Sequence, residues 1–392
     1  MLVAPGRFDD LLTSVQAAEA MTAGWSAGAP HDTVVRLPLA DGGPGLLEAV
    51  RSVRGGDLLP VTVPGPAGAP TPVPVLVVDG PGGPTAYLEA ALALGRHLLP
   101  ADDGPGVAGG SSYGLGLLLR AVLDQGVRRV VVAVGGVVTH DAGAGLLAGL
   151  GLPSGALRGG GAALAEVSGE DLDGLAGLRR ELADVDLLVA VDSDAHLLGL
   201  HGTSAALGSA RTVPADVAQQ LERALSAFAH RVGDVVARDT VRRDLLAPPA
   251  DGREQTRRLA QVPGAGAGGG LGFALAALGG RLLPGARVAA DVLDLAGRLG
   301  EADLVLTGEQ ELDGHALHDG VVATAAAAAL AHALPVVAVA GEVHVGRREW
   351  GAAGIAGVYA IAERPGLMPA AGADAAAALR DRVARVARTW SR

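Results

Sequence analysis

Short runs of Val and Leu alternate with helix-forming stretches at both ends of this chain, and that alternation restricts its fold more than any other feature. Leu2–Ala4 and Val34–Leu37 flank a helical pattern at Thr13–Trp25. Near the other end, Leu304–Leu306, Val336–Val339 and Val358–Ile361 alternate with a helix through the alanine run, a helix around Arg347–Ala353 and a final helix from Ala371 to Thr389. Strands that read as unbroken apolar runs are buried on both faces, as in a parallel sheet covered by helices on each side. The expected class is therefore α/β.

Two of these five strands precede residue 45 and three follow residue 300. Residues 1–45 and 286–392 are thus predicted to form one discontinuous domain with flavodoxin-like strand order, and 46–285 an inserted second α/β domain. Within the insert, Val61–Val63, Val73–Val78 and Thr85–Glu89 are separated by Pro/Gly-rich turns, the pattern of an antiparallel meander. Leu117–Gln125 reads as a helix feeding the strand Val130–Val134, and Leu187–Val191 as a further buried strand. Gly159–Gly161 and the Pro/Arg-rich Ala247–Arg258 read as surface loops. Val321 to Ala340 is apolar enough to raise a membrane span, but Pro335 cuts it into an alanine-rich helix and a β-branched strand.

The net charge of −11 gives no field that would favour nucleic acid or an anionic membrane. Cysteine is absent, which excludes disulfides, thiolate nucleophiles and cysteine-ligated metal. Lysine is absent too, so any cation at a site is arginine or protonated histidine. No secretory signal is visible, and the cytoplasm is the expected compartment. A homo-oligomer is compatible with the sequence.

The densest chemical signal is Pro263 to Gly272, where Gly264, Gly266, Gly268, Gly269 and Gly270 precede an apolar helix from Phe273. Such glycines allow left-handed backbone and close approach, presenting N–H groups to a phosphate at a helix N-terminus. A tight loop in a glycine-rich protein is the alternative, and no lysine follows to make a Walker A motif. A second glycine element, Gly135 and Gly136 through Gly145, follows a strand, and its Asp141 either holds a metal or caps the helix. Asp192 and Asp194 follow the strand Leu187–Val191, where paired carboxylates suit Mg²⁺ binding or removal of a hydroxyl proton, with solvated loop acids as the alternative. Asp41, Glu309 and Asp313 also follow strands. The histidines, His140, His196, His201, His315 and His318 among them, lack the spacing of zinc ligands.

In order, these segments resemble the bacterial glycerate kinase family from Ala4 to about Ala362. Ala4-Pro5 and Phe8 match its opening motif, and Leu39 through Gly45 matches its Leu-Ala-Asp-Gly-Gly-Glu-Gly with Pro44 in place of Glu. Ser112 to Gly116, Gly135 to Gly145, the Asp192/Asp194 pair with Gly199, Gly202 and Ser204, the box from Gly264, and Thr307 to His318 complete the match. The resemblance implies a flavodoxin-like domain interrupted by a second α/β domain, and ATP-dependent phosphorylation of D-glycerate with Mg²⁺. Asp192 or Asp194 would then orient or deprotonate the attacking hydroxyl and hold the metal together with Asp141. The glycines at 135, 136, 264, 266 and 268–270 would hold nucleotide, and Asp41, Arg7, Ser204, Glu309, Asp313 and His318 the substrate. Several motif positions depart from the family: its Asp, Ser and Lys after the first strand are Gly6, Arg7 and Asp9, its Arg is Glu311, its second Lys is Gly320, and its Asn and Gln are His140 and His315. Arg7 lies two residues from the missing lysine and is a candidate substitute. The alternative these departures imply is a catalytically impaired member that binds nucleotide or a small metabolite in a regulatory role.

Overall fold

The computed structural model describes residues 1–99, 106–152, 155–209, 213–239, 251–362 and 373–391. The chain forms two compact units, Met1–Gly55 with Gly285–Arg392, and Gly56–Pro284. Both are mixed α/β with mostly parallel strands.

In the first unit five parallel strands lie in the order Gly357–Ala360, Val336–Ala340, Val305–Thr307, Leu2–Val3 and Val35–Arg36. Counted along the chain this is 2-1-3-4-5, the flavodoxin order expected from the strand pattern. The strand Val336–Ala340 is buried throughout, and the helix Val321–Leu330 before it buries Val321, Val322, Ala325, Ala326 and Ala329. That helix and strand are what the break at Pro335 predicts. A capping box starts the helix Ser14–Gly28: the Gln16 amide donates to the Thr13 hydroxyl, and the Thr13 amide to the Gln16 side chain. Its Gly24 and Gly28 sit against the Arg380 and Ala384 carbonyls of the helix Ala373–Trp390, a separation that any side chain would prevent. The final helix begins within the described residues at Ala373; residues 371 and 372 lie outside them.

The sequence places the domain boundary at residue 45, whereas the helix Leu46–Arg54 belongs with the first unit. The Arg54 guanidinium donates to the Val292 carbonyl at 2.9 Å, tying the helix there. A short parallel pair, Glu311–Leu312 with Glu342–Val343, escapes the sequence reading because neither strand exceeds two residues.

The second unit has a six-stranded sheet in the order Asp57–Pro64, Pro70–Val78, Thr85–Glu89, Arg129–Ala133, Asp186–Val191, Arg281–Pro284. The first three strands are the expected antiparallel meander, and the last four run parallel. The edge strand Arg281–Pro284 is half-exposed and has no apolar run to announce it. Two expected surface loops are corrected. Gly159 is exposed as expected, but Gly160 and Gly161 are buried, the second against the His140 carbonyl, so these two glycines serve close packing. Residues 247–250 lie outside the described residues, but Gly252–Ala260 is a helix capped by Asp251 and fixed by the buried Thr256, Leu259 and Ala260. Gly106–Asp124 is long and apolar enough to pass for a membrane span by length and composition. Its Leu115, Leu118, Leu119 and Val122 are packed in the core of this unit, as in a core helix of a globular domain.

Candidate active site

In the second unit, three loops meet at the carboxyl edge of the parallel strands, where ligands bind in open α/β sheets. The first leaves Arg129–Ala133 and runs through Gly135, Gly136 and Asp141. The second leaves Asp186–Val191 and carries Asp192 and Asp194. The third is the glycine loop ahead of the helix Ala267–Ala277; because that helix returns to start the parallel strand Arg281–Pro284, its N-terminus lies at the same edge.

Hydrogen bonds lock the three together. The Gly266 amide donates to the Ala195 carbonyl at 2.8 Å, the Ala142 amide to the Gly269 carbonyl at 3.0 Å, and the Val134 amide to the Ala190 carbonyl at 3.1 Å. The glycines are required by position. A Cβ on Gly264 would lie 2.8 Å from Val191, one on Gly269 would strike the Thr139 carbonyl, and one on Gly135 would strike the Asp192 carboxylate. Gly268, Gly269 and Gly270 are consecutive left-handed residues with φ of 61°, 64° and 93°, which L-residues avoid. The Gly266 and Gly270 amides already bond to the Ala195 and Gly266 carbonyls, and Gly268 and Gly269 are the partly open members of the loop. Asp192 is partly buried against Gly135, and Asp194 is exposed.

Asp141 is fully buried, and its carboxylate accepts four hydrogen bonds. Oδ2 receives the Ser112 amide at 2.8 Å, the Ser112 hydroxyl at 2.8 Å and the Gly145 amide at 3.1 Å, while Oδ1 receives the Gly143 amide at 3.0 Å. Burial pushes its pKa up, and the donors from Ser112, Gly145 and Gly143 pull it back towards the ionised form. Of the two roles read from the sequence, metal ligation and capping, this is the capping geometry: four donors occupy the lone pairs a cation would need. Ser112, missed as a functional position, completes the brace by accepting from the Leu146 amide at 2.9 Å. His140 and Ser204, both 1% exposed, join at 2.9 Å between Nε2 and Oγ. Burial lowers the His140 pKa to about 4 and keeps the ring neutral. Ser204 therefore has its hydroxyl in the interior of this unit, away from any open surface. The buried Thr139 hydroxyl has no hydrogen-bond partner. A pair such as His140 and Ser204, far apart in sequence, leaves no local signal.

The first unit gathers a different set of groups at the carboxyl edge of its own sheet. Asp41 Oδ1 accepts from the Gly43 amide at 2.9 Å, and Asp313 Oδ1 from the Ala316 amide at 2.8 Å. Glu309 Oε1 accepts from the Val322 amide at 3.1 Å, in the first turn of the helix Val321–Leu330. Burial pushes the Glu309 pKa up to about 8; the Val322 amide lowers it, while the carboxylates of Asp41, Asp313 and Asp9 raise it further. Asp9 has a left-handed φ of 42°, and its pKa is raised chiefly by burial, against the pull of Arg7. The Arg7 guanidinium donates to the Asp9 carbonyl at 2.7 Å and reaches Asp10 at 3.4 Å, so it is turned to its own loop. His318 is exposed on the loop leading to Gly320. Among the described residues no group of three or more His, Asp or Glu side chains is arranged to hold a metal by itself.

Interlocked glycine loops at the carboxyl ends of parallel strands define a class of α/β proteins built to bind small ligands at that edge. The chain matches the glycerate kinase family over residues 1–391, and it belongs to that family. It is 32% identical over 353 residues to the glycerate kinase of Bacillus subtilis, covering 88% of this chain and 85% of that protein. It is 30% identical over 349 residues to the glycerate 2-kinase of Escherichia coli K12, with 88% and 85% covered. The crystal structure of a putative glycerate kinase 2 from Salmonella typhimurium LT2 superposes with a TM-score of 0.74 at 28% identity, covering 99% of this chain and 97% of that one.

Proposed function

We propose that this protein is a glycerate kinase, transferring the terminal phosphoryl group of ATP to a hydroxyl of D-glycerate or a close hydroxy acid. The observation that carries this reading is the platform in the second unit, where the Asp192 carboxylate abuts Gly135 beside the left-handed loop of Gly268 and Gly269. Phosphoryl transfer needs positioning and charge stabilisation more than covalent chemistry. In this reading Gly268 and Gly269 direct backbone N–H groups to the phosphates, and Asp192 or Asp194 accepts the hydroxyl proton. The asparagine-free, cysteine-free set of Asp192 and Asp194 offers hard oxygen donors that suit Mg²⁺, which needs only one or two carboxylates when phosphate and water fill the remaining positions. Mg²⁺ bound there supplies charge screening for the phosphates. Asp41, Asp313 and His318 remain candidate contacts to a small hydroxy acid at the first unit's own sheet edge, and the enzyme is read as cytoplasmic.

A second reading, a family member that binds nucleotide or metabolite without turnover, is favoured by one observation. Asp9 and Glu311 stand where family motifs carry cations, and Glu309, its pKa pushed up to about 8 by burial, has the carboxylates of Asp41, Asp313 and Asp9 raising it further. Release of ADP from ATP and Mg²⁺ on addition of D-glycerate tests the choice: stimulation supports the kinase, and bound ATP without stimulation supports the second reading.

A further inference from the structure

A cavity of about 970 Å³ opens in the first unit, at the end of the sheet where the strands begin. Leu2, Val35 and Leu304 line it, and each stands at or just before the start of its strand. Asp41 and Glu309 follow strands of the same sheet, so the cavity lies at the edge opposite them. Its volume falls within the range of small-molecule sites.

The lining combines three chemistries. Trp25 and Trp390, two of the chain's three tryptophans, supply indole surface. Their N–H groups are already used, by Asp32 at 2.8 Å and by the Tyr359 hydroxyl at 2.9 Å, which leaves apolar ring surface, chiefly that of the partly buried Trp390. Arg298 supplies a guanidinium whose buried Nε has no hydrogen-bond partner. That Nε is shielded, and a carboxylate entering the cavity pairs with the guanidinium through charge-assisted hydrogen bonds to its outer nitrogens. Glu301 and Asp303 add two exposed carboxylates on the same lining.

A simple anion would meet the field of Glu301 and Asp303, and a simple cation that of Arg298. We propose that the cavity is a second binding site, for a zwitterionic small molecule of the amino-acid class. Its carboxylate pairs with Arg298, its ammonium faces Glu301 and Asp303, and its side chain packs on Trp390. This site is independent of the kinase reading, because none of its residues belongs to the loops assigned to phosphoryl transfer.

The test is calorimetric titration of the full chain with L-phenylalanine and L-leucine, against 3-phenylpropionate, which lacks the ammonium, and 2-phenylethylamine, which lacks the carboxylate. L-Phenylalanine is expected to bind at least about tenfold more tightly than either single-charge analogue, with a change in tryptophan emission. Arg298→Gln is expected to weaken it by about tenfold or more. Because Arg298 is partly buried, Glu301→Gln with Asp303→Asn is the companion variant: both positions are exposed, folding should be unaffected, and the preference for the ammonium should disappear. Equal binding of 3-phenylpropionate, unchanged affinity in both variants, or no saturable heat from any of the four compounds would overturn the proposal.

Discussion

Replacing Asp141 tests the platform at the point where most of its bonds converge. Asp141→Ala removes the acceptor of four donors, the Ser112 amide and hydroxyl and the Gly143 and Gly145 amides, in a place with no exposure to water. A hydrogen bond to a charged group contributes roughly 1.5–3 kcal/mol, and a buried donor left unpaired costs about 1–3 kcal/mol. These terms share one carboxylate and do not add, so the expected loss is about 4 kcal/mol. Asp141→Asn keeps an oxygen for the three donors on Oδ2 and opposes an NH₂ group only to the Gly143 amide, for an expected loss of about 2 kcal/mol. For a unit of this size about 1 kcal/mol moves the midpoint by roughly 2–4 °C, which gives shifts near 10 °C and 5 °C. Scanning calorimetry read on the transition of the second unit measures both. A shift under about 2 °C for the alanine variant would refute the argument, because it would mean that the four donors find other partners at little expense.

Gly269→Ala places a Cβ on the Thr139 carbonyl and puts an L-residue at φ 64°; binding of a fluorescent ATP analogue should fall by at least about tenfold while the circular dichroism spectrum is retained. Glu309, with a folded pKa of about 8 against an ordinary value of 4.5, favours folding in its protonated form; its contribution is complete below 4.5 and lost as pH rises to 8. The first unit should therefore lose stability between those pH values, by up to a few kcal/mol, and Glu309→Gln should flatten the dependence; denaturant midpoints across that range measure it. Restoring motif cations with Asp9→Lys and Glu311→Arg should raise glycerate-dependent turnover at least about tenfold if their absence limits the reaction, and steady-state kinetics will read it. Gly320→Lys is left out of that variant because a Cβ there would lie 2.8 Å from the Ala316 carbonyl.

The sequence reveals the strands where burial on both faces demands unbroken apolar residues, as at Val336–Ala340 in the first unit and Asp186–Val191 in the second. It conceals Arg281–Pro284, whose edge position requires no such run, and Gly252–Ala260, whose polar surface hides a short buried stripe. The glycine loop is legible because left-handed backbone and close approach at Gly268 to Gly270 admit few other residues. The capping role of Asp141 is legible through its nearby donors Gly143 and Gly145, but its bonds to Ser112 and the pairing of Ser204 with His140 depend on residues far away in sequence. The cationic deficit at Asp9, Glu311 and Gly320 is visible by motif alone, but the raised pKa of Glu309 comes from its burial and from the gathering of Asp41, Asp313 and Asp9 about it, which only the structure gives.

The central claim is tested most directly by mass spectrometry of the products formed from purified protein with ATP, Mg²⁺ and D-glycerate, beside a control carrying Asp192→Ala and Asp194→Ala. Phosphoglycerate formed by the unmutated protein and absent from the control is the expected result. Phosphoglycerate in neither sample, with ATP still bound by the unmutated protein, would contradict the kinase reading.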